Sequence, residues 1–559
     1  MLRSLDKCLQ DLHAEFEVLD QIYCDYDDVE SAKVNLYIRL QKVWRDQFET
    51  NQRIVFVLQK DFYSKHSPAG VLLQAIQIIV QDIDISNFFV CIVSSNTDLV
   101  SEYNYVKQNI SWDEIAFNCY TCSGTFARMI DNHKPVDGKG QSLKHLADTI
   151  ANLSEPHRQL LFSDPVFCMM PWVGININAN NRTCPCCEWQ GPTIGNPATQ
   201  SIKEIWNGPA IKQIRQSMLG GNAVPGCQNC YTKENLMRDS LRNSINRDFA
   251  HRADLIDNTD PDGTLRADAI LYWDIRYNNL CNFACRSCGP HSSSSWFPVH
   301  NALYPDQQHK QFLLEAGSNS DSIFGQITEH LHSVEKIYFA GGEPLMIENF
   351  YRVLEMLDQA GRHDVHLCYN TNLSRLNLGG RSILDLWSRF DRVSVGASLD
   401  AMEDRAEYLR SGTIWPDIVT NRRLIQQHCP HVDFCVSATT GLINALHVAD
   451  FHQSWIDQGL ISAEDFNIQL LFQPAYMSVC NAPERLRQQI VDRYTQHIEW
   501  LRPRDRSGRA VSGFRSVLEM CRRPDVYDRQ QFWREVARLD HYHSTDLFST
   551  FPELIGTGL

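Results

Sequence analysis

Three cysteines lie close together in the stretch Asn279-Leu-Cys-Asn-Phe-Ala-Cys-Arg-Ser-Cys-Gly-Pro, at positions 281, 285 and 288. Thiolates at this spacing can each bind one iron of a [4Fe-4S] cluster. Three protein ligands leave the fourth iron open, so such a cluster can bind and reduce a substrate instead of only relaying electrons. Cys281, Cys285 and Cys288 are therefore predicted to be the catalytic cluster ligands.

A second motif follows about 55 residues later, where Gly341-Gly342-Glu343-Pro344 ends the apolar run Ile337-Tyr-Phe-Ala340. Glycine has no Cβ, so backbone at this point can approach a ligand closely. The cysteine spacing and this GGEP sequence together resemble the radical S-adenosylmethionine (SAM) superfamily. In that superfamily the GGEP backbone hydrogen bonds the amino group of SAM.

The resemblance implies that SAM binds the open iron and is cleaved to methionine and a 5′-deoxyadenosyl radical, which abstracts hydrogen from a substrate. Phe283 would shield the cluster and lie near adenine. Polar residues that follow later strands would contact the ribose and the carboxylate of SAM, or serve as local caps and turns. The cofactor contacts implied in this way are Phe283, Gly341, Gly342, Glu343, Pro344, Asn372, Ser398, Asp400, Arg410 and Asn444.

A second group of cysteines precedes the first, at Cys168, at Cys184-Pro-Cys186-Cys187 and at Cys227-Gln-Asn-Cys230. Their spacing fits either a zinc ion or a full [4Fe-4S] cluster. The surrounding sequence resembles a SPASM or twitch domain, which carries an auxiliary [4Fe-4S] cluster in radical SAM enzymes. The ligands implied are Cys168, Cys186, Cys227 and Cys230, with Cys187 as the first alternative and Cys184 as the next. Such a module usually follows the SAM barrel, whereas here it precedes it.

The composition restricts the class of protein. The 559 residues are too many for one ordinary core, and 43% of them are apolar. The net charge of −15 would repel a polyanion, so a nucleic-acid substrate is not expected. The first residues lack the apolar core of a signal peptide, and no run is apolar enough to span a membrane. We therefore expect a cytoplasmic protein, in which clustered cysteines bind metal instead of forming disulfides.

Two parts of the chain alternate strand-like and helix-like segments. Near the N-terminus, strands at 54–58 and 88–93 flank an apolar helix at 71–80, which predicts a small α/β domain. Farther along, six strands are predicted at 270–277, 336–340, 365–369, 393–398, 432–438 and 468–473, with helices between them. Such a repeat predicts a partial (β/α)6 TIM-like barrel, with catalytic residues on the loops that leave the C-terminal strand ends.

The fold class predicted is thus α/β, with four domains. Residues 1–150 form the α/β domain of unknown role, and 160–240 the small cysteine-rich SPASM/twitch-like domain. Residues 266–500 form the radical SAM barrel, and 501–559 a C-terminal helical extension.

The leading functional hypothesis is an enzyme that modifies a ribosomally made peptide by oxidation or cross-linking, with reducing electrons from a donor such as flavodoxin or ferredoxin. A radical SAM dehydrogenase of a small molecule, such as an aminocyclitol or sugar, is the enzymatic alternative. A zinc-stabilised binding protein without catalysis is the alternative from another class, but it leaves the three-cysteine loop and GGEP unexplained.

Overall fold

The computed structural model describes residues 149–559 except 151, 236–239, 268, 506 and 523–528, together with the backbone of four strands between residues 54 and 129. The predicted helix at 71–80 lies outside the described residues. The chain divides into two compact units. The first unit comprises residues 1–169 and 216–259, and the second comprises 170–215 and 260–559.

The strands are numbered in chain order. They are β1 (Ile54–Gln59), β2 (Phe88–Ser94), β3 (Ala116–Thr121), β4 (Phe126–Met129), β5 (Gly174–Ile177), β6 (Thr183–Cys184), β7 (Tyr272–Ile275), β8 (Ala284–Cys285), β9 (Lys336–Phe339), β10 (His366–Thr371), β11 (Asn377–Leu378), β12 (Arg381–Ser382), β13 (Val393–Ala397), β14 (Arg410–Ser411), β15 (Asp433–Thr440) and β16 (Phe466–Leu470).

The α-helices of the described residues follow in the same order. They are α1 (Glu155–Phe162), α2 (Met170–Val173), α3 (Ile202–Trp206), α4 (Pro209–Leu219), α5 (Gln228–Asn235), α6 (Leu241–Asp248), α7 (Asp254–Asp257), α8 (Trp296–Leu303), α9 (Ser320–Thr328), α10 (Glu348–Gln359), α11 (Ile383–Trp387), α12 (Glu403–Leu409), α13 (Trp415–His428), α14 (Val448–Asp457), α15 (Glu484–Leu501), α16 (Arg509–Cys521), α17 (Arg529–His543) and α18 (Leu547–Thr550).

In the first unit, β1 to β4 form one sheet in the order β1-β2-β3-β4. β1 pairs in parallel with β2, and β2 in parallel with β3, whereas β4 is antiparallel to β3. The two strands predicted near the N-terminus are therefore present, and they are parallel as expected.

The second unit contains an eight-stranded sheet in the order β16-β15-β13-β10-β9-β7-β5-β6. All six predicted barrel strands belong to it, as β7, β9, β10, β13, β15 and β16. Each is parallel to its neighbour, and each connection moves one place in the same direction across the sheet. This order is typical of a singly wound βα repeat. Closure into a partial barrel stays a prediction.

Apolar side chains hold the helices on this sheet. On α10 the residues Phe350, Val353, Leu354 and Leu357 recur at helical spacing and are buried. The Phe350 ring packs edge-on against Phe339 of β9 at 4.9 Å, and Phe339 stacks on Tyr369 of β10 at 4.3 Å. The core therefore lies directly beneath the strand ends that carry the predicted motifs.

The cysteine-rich segment at 160–240 is divided between the two units, and its existence as one small domain stays a prediction. Residues 170–215 belong to the second unit, and residues 216–240 belong to the first. The reason lies in β5, whose four residues are all buried and whose backbone pairs in parallel with β7. A short apolar strand satisfies its backbone hydrogen bonds by extending a sheet edge. β5 therefore adds a seventh parallel strand to the predicted six.

The predicted C-terminal helical extension at 501–559 contains α16 and α17. Within the described parts of the chain, no helix is both long and apolar enough to cross a membrane.

Candidate active site

The three-cysteine loop follows β7 and is held in place by a short second strand pair. β8 within the loop pairs antiparallel with β14, so that Cys285 lies opposite Arg410. The Cys288 amide donates to the Cys285 carbonyl at 2.9 Å and closes a tight turn. All three cysteines line one cavity of about 540 Å³ in the second unit. The structure thus brings the predicted ligands together on one wall.

Burial and nearby donors act in opposite directions on the ionisation of these three thiols. Burial raises the pKa of Cys281 to about 11 and that of Cys288 to about 12, and it also raises the pKa of Cys285. Two contacts favour the charged form: the Phe283 amide donates to Cys281 Sγ at 3.4 Å, and Arg410 Nη1 donates to Cys285 Sγ at 3.6 Å. Bound iron deprotonates a coordinating thiol, which offsets the cost of burial.

The donor set, three thiols on one loop, is of the kind that binds a [4Fe-4S] cluster. Within the described residues, no group of three His, Cys, Asp or Glu side chains could hold one metal ion. In a cluster each thiolate binds a different iron, so its ligands do not converge on a common point. Three cavity-facing thiols from one loop meet that requirement.

The GGEP turn fastens the cysteine loop to the sheet. Gly341 and Gly342 both line the cavity and have positive φ angles of 88° and 52°. A Cβ on Gly342 would lie 2.1 Å from the Leu280 carbonyl oxygen, so only glycine permits this approach. The next amide, that of Glu343, donates to the same carbonyl at 2.7 Å. The turn therefore sets the position at which the cysteine loop begins.

The Glu343 side chain is a positioning group. Its Oε1 accepts from Thr371 Oγ1 at 2.6 Å and from the Leu345 amide at 3.0 Å, and its Oε2 accepts from the Asn372 amide at 2.6 Å. Burial raises the pKa of this carboxyl, while these hydrogen bonds oppose the rise. The carboxylate lines the cavity, but its contacts tie β9 to β10. The following Pro344 is buried and is not among the described lining residues.

Three other predicted contacts also line the cavity, namely Phe283, Asn372 and Ser398. The Asn372 amide group is engaged: Nδ2 donates to Asn282 Oδ1, and Oδ1 accepts from the Ser374 amide, both at 3.0 Å. The Ser398 amide donates to the Thr371 carbonyl at 2.7 Å. Their contacts with SAM stay predictions.

Arg410, Asp400 and Asn444 form a connected network. Arg410 Nε and Nη2 donate to the two carboxylate oxygens of Asp400 at 2.8 and 3.0 Å. Asn444 Nδ2 donates to the Asp400 carbonyl at 2.8 Å, and its Oδ1 accepts from the Gly441 amide. Arg410 lines the cavity, but Asp400 and Asn444 are not among the described lining residues. Asp400 therefore occupies the Nε and Nη2 edge of Arg410, and the contact of Arg410 with the cofactor stays a prediction.

The predicted auxiliary ligands fall in both units. Cys184, Cys186 and Cys187 belong to the second unit and line the same cavity as the cysteine loop. Cys184 is buried, whereas Cys187 is exposed.

Cys168, Cys227 and Cys230 belong to the first unit, where the charge of Arg242 interacts with the thiols of Cys168 and Cys227. Arg242 also donates to the Phe167 carbonyl at 2.8 Å and pairs with Glu234 on α5, the helix that carries Cys230. The set Cys168, Cys186, Cys227 and Cys230 stays a prediction.

Sequence reasoning missed several other polar residues of the cavity. Asn176, Asn178 and Asn180 come from β5 and the turn after it, and Arg276 follows β7; all four line the cavity. A signal was present, because the alternating asparagines in Ile175-Asn-Ile-Asn and the charges in Trp273-Asp-Ile-Arg276 interrupt otherwise apolar strands. Period-two alternation places such residues on one face.

Another missed contact joins the cysteine loop to the C-terminal extension. Arg286, between Cys285 and Cys288, is buried, and its guanidinium lies 3.6 Å from the Tyr408 ring centre. Arg286 Nη2 donates to Asp540 Oδ1 on α17 at 2.6 Å and to Thr545 Oγ1 at 2.9 Å. The extension is therefore part of the scaffold of the loop.

A comparison with protein-family models matches the cysteine-rich segment that precedes the three-cysteine loop. Residues 168–231 match the SPASM family, described as an iron-sulfur cluster-binding domain. The predicted SPASM-type segment is confirmed, and with the cysteine loop it supports a radical SAM enzyme with a SPASM domain. No curated protein sequence matches the chain.

Solved structures with some similarity include TYW1 with a lysine-pyruvate adduct bound, at 10% identity and a TM-score of 0.21, over 41% of this chain and 71% of that one. The cobalamin-dependent S-adenosylmethionine radical enzyme OxsB, with aqua-cobalamin and S-adenosylmethionine bound, is 9% identical with a TM-score of 0.25, over 96% and 60% of the two chains. Apo OxsB is 8% identical with a TM-score of 0.24, over 94% and 59%. The chain thus spans about 60% of the OxsB length.

Proposed function

We propose that this chain is a radical SAM enzyme whose catalytic [4Fe-4S] cluster is held by Cys281, Cys285 and Cys288. The observation that carries the proposal is that the three thiols, the GGEP glycines, Asn372 and Ser398 all face one cavity at the C-terminal ends of parallel strands. The SPASM match adds a second cluster-binding segment.

When bound, the cluster would supply the electron that cleaves SAM, and the 5′-deoxyadenosyl radical formed would take hydrogen from the substrate. The residues of the chain provide position and shielding. Phe283, which is 1% exposed, covers the inner side of the loop, and Arg410 lies against Cys285. Asn372 and Ser398 offer amide and hydroxyl groups suited to ribose hydroxyls. An external reductant, such as flavodoxin or ferredoxin, would deliver the electron.

We propose a ribosomally made peptide as the substrate, modified by oxidation or cross-linking. The cavity lining supports a polar substrate, because asparagine, serine and arginine side chains outnumber apolar ones among the described lining residues. Amide groups both donate and accept, and therefore match peptide backbone. They also match the hydroxyl groups of a sugar or aminocyclitol, which keeps small-molecule dehydrogenation as the second candidate.

The decisive test is anaerobic incubation of the dithionite-reduced full chain with SAM. We expect 5′-deoxyadenosine and methionine, together with close to eight irons and matching sulfide per chain. The Cys285→Ala variant should lose nearly all cleavage, whereas Cys429→Ala, at a buried cysteine outside the cavity, should retain it. Full cleavage by Cys285→Ala, or zinc without sulfide in the wild-type chain, would refute the proposal.

Candidate peptides and aminocyclitols added to the same reaction distinguish the two substrate classes. Mass spectrometry should detect a loss of two hydrogens, or another small mass change, in the peptide only. Conversion of the aminocyclitol alone would favour the second candidate.

A further inference from the structure

One arginine of the cavity, Arg276, has an open fork. Its Nε lies 3.4 Å from Asp274 Oδ1, and among the described residues no hydrogen bond from its two terminal nitrogens is present, although its charge also interacts with Cys187 and Tyr338. The side chain is 30% exposed, and it lines the cavity. Arg410, in contrast, donates to both oxygens of Asp400. A planar guanidinium with two open N–H groups is well matched to a carboxylate.

The backbone aims Arg276 in a defined direction. A Cβ on Gly341 would lie 2.6 Å from Arg276 Cβ, so this glycine of the GGEP turn makes room for the arginine stem. On the other side, Asp274 is 1% exposed and anchors Nε. Asp274 Oδ2 is buried without a hydrogen-bond partner among the described residues. Arg276 is therefore held by its stem and Nε, which leaves its terminal nitrogens available.

Asn178 is the cross-strand neighbour of Arg276. β5 and β7 pair in parallel with Asn176 opposite Asp274 and Ile177 opposite Ile275, and the Arg276 amide donates to the Ile177 carbonyl at 2.8 Å. The Asn178 side chain donates from Nδ2 to Asn176 Oδ1 and to the Arg182 carbonyl, and no described residue donates to its Oδ1. A carboxylate acceptor and a nearby N–H or O–H donor would therefore complement this pair.

We propose that Arg276 and Asn178 form a binding site for a carboxylate of the substrate that has an N–H or O–H donor close by, as in an acidic residue of a peptide. The inference rests on the proposed function, because it names what the same cavity accepts. The net charge of −15 does not oppose it, since exposed charges beyond about 8 Å are largely screened at physiological ionic strength. Among the described lining residues, Glu343 is the one acidic group, and its oxygens already accept hydrogen bonds.

Arginine-selective labelling of the anaerobically purified full chain with phenylglyoxal, read by peptide mass spectrometry, tests this site without any radical chemistry. We expect Arg276 to be labelled faster than Arg410. N-acetylaspartylglycinamide should slow Arg276 labelling at least tenfold, whereas N-acetylasparaginylglycinamide should not. Arg423, exposed and outside the cavity, serves as the internal control and should not respond to either probe.

The other outcomes count against the proposal. An Arg276 that resists labelling would mean that its fork is not open. Protection by SAM without protection by the acidic dipeptide would assign the fork to the cofactor, and stronger protection by inorganic phosphate would assign it to a different anion. None of these results bears on SAM cleavage, so they are distinguishable from a failure of the proposed function.

Arg276→Lys provides the second measurement, because it keeps the charge and removes the fork. Its dissociation constant for the acidic dipeptide, measured by NMR titration, should rise about tenfold or more, which corresponds to the loss of about 1.4 kcal/mol. Arg423→Lys should leave it unchanged. An Arg276→Lys variant that melts like the wild type and binds the dipeptide equally well would overturn the assignment.

Discussion

The two walls of the cavity differ in how far their polar groups are already engaged. On the loop wall, defined here as residues 281–288 with Glu343, Asn372 and Arg410, the charged groups are paired within the protein. On the hairpin wall, defined as residues 176–189 with Arg276, several polar atoms are not engaged by the described residues: the terminal nitrogens of Arg276, Oδ1 of Asn178 and Nδ2 of Asn180. The difference indicates that the loop wall is preorganised to hold one fixed group, whereas the hairpin wall is left open for a ligand.

The largest effect is expected at Glu343, where three donors depend on one carboxylate. Glu343→Ala would leave the hydroxyl of Thr371 and the amides of Asn372 and Leu345 buried and unpaired, which should lower the free energy of unfolding by about 3 to 6 kcal/mol. The iron content of the purified Glu343→Ala variant should also fall. Urea denaturation and iron analysis of anaerobic samples measure both quantities.

Glu343→Gln is the matched variant, because it retains one carbonyl oxygen, and it should lose about half as much stability. Glu348→Ala removes an exposed partner of Arg381 and should change stability by less than about 1 kcal/mol. If Glu343→Ala and Glu348→Ala have the same free energy of unfolding, the hydrogen bonds of Glu343 do not stabilise the loop wall.

A smaller effect is expected where the loop wall meets the C-terminal extension. Asp540→Ala would leave the Arg286 guanidinium, whose side chain is 2% exposed, without its anionic partner, at a cost of about 3 kcal/mol. Its cluster should be lost to a chelator faster than that of the wild type, as followed by visible absorbance.

The control for this prediction is the exposed ion pair between Arg352 and Asp321. Asp321→Ala should cost less than about 1 kcal/mol and leave chelation unchanged. If Asp540→Ala keeps its cluster as firmly as Asp321→Ala, the extension has no part in holding the loop.

The smallest effect is expected on the hairpin wall. The exposed Asn180 accepts one hydrogen bond, from the Arg182 amide at 3.2 Å, and its Nδ2 has no partner among the described residues. Asn180→Ala should therefore change the free energy of unfolding by no more than about 0.5 kcal/mol and leave iron content intact. A loss of iron in this variant would show that the hairpin wall also supports the cluster.

Much of the fold was predictable from sequence because local patterns report it. The six predicted strands β7, β9, β10, β13, β15 and β16 are present and parallel, since runs of apolar and β-branched residues in regular alternation with helices specify that repeat. The contribution of β5 to the same sheet was not predictable. Pairing between β5 and β7 joins segments that are far apart in the chain, and no local signal encodes it.

The candidate site also combines features that the sequence predicted with features that only the tertiary structure decided. Spacing alone identified Cys281, Cys285, Cys288 and the GGEP turn, because ligand type and glycine content are properties of the residues themselves. Which arginine is open to a ligand was decided by the tertiary structure. Asp400 accepts from Nε and Nη2 of Arg410, while Asp274 accepts only from Nε of Arg276, and strand packing sets those distances.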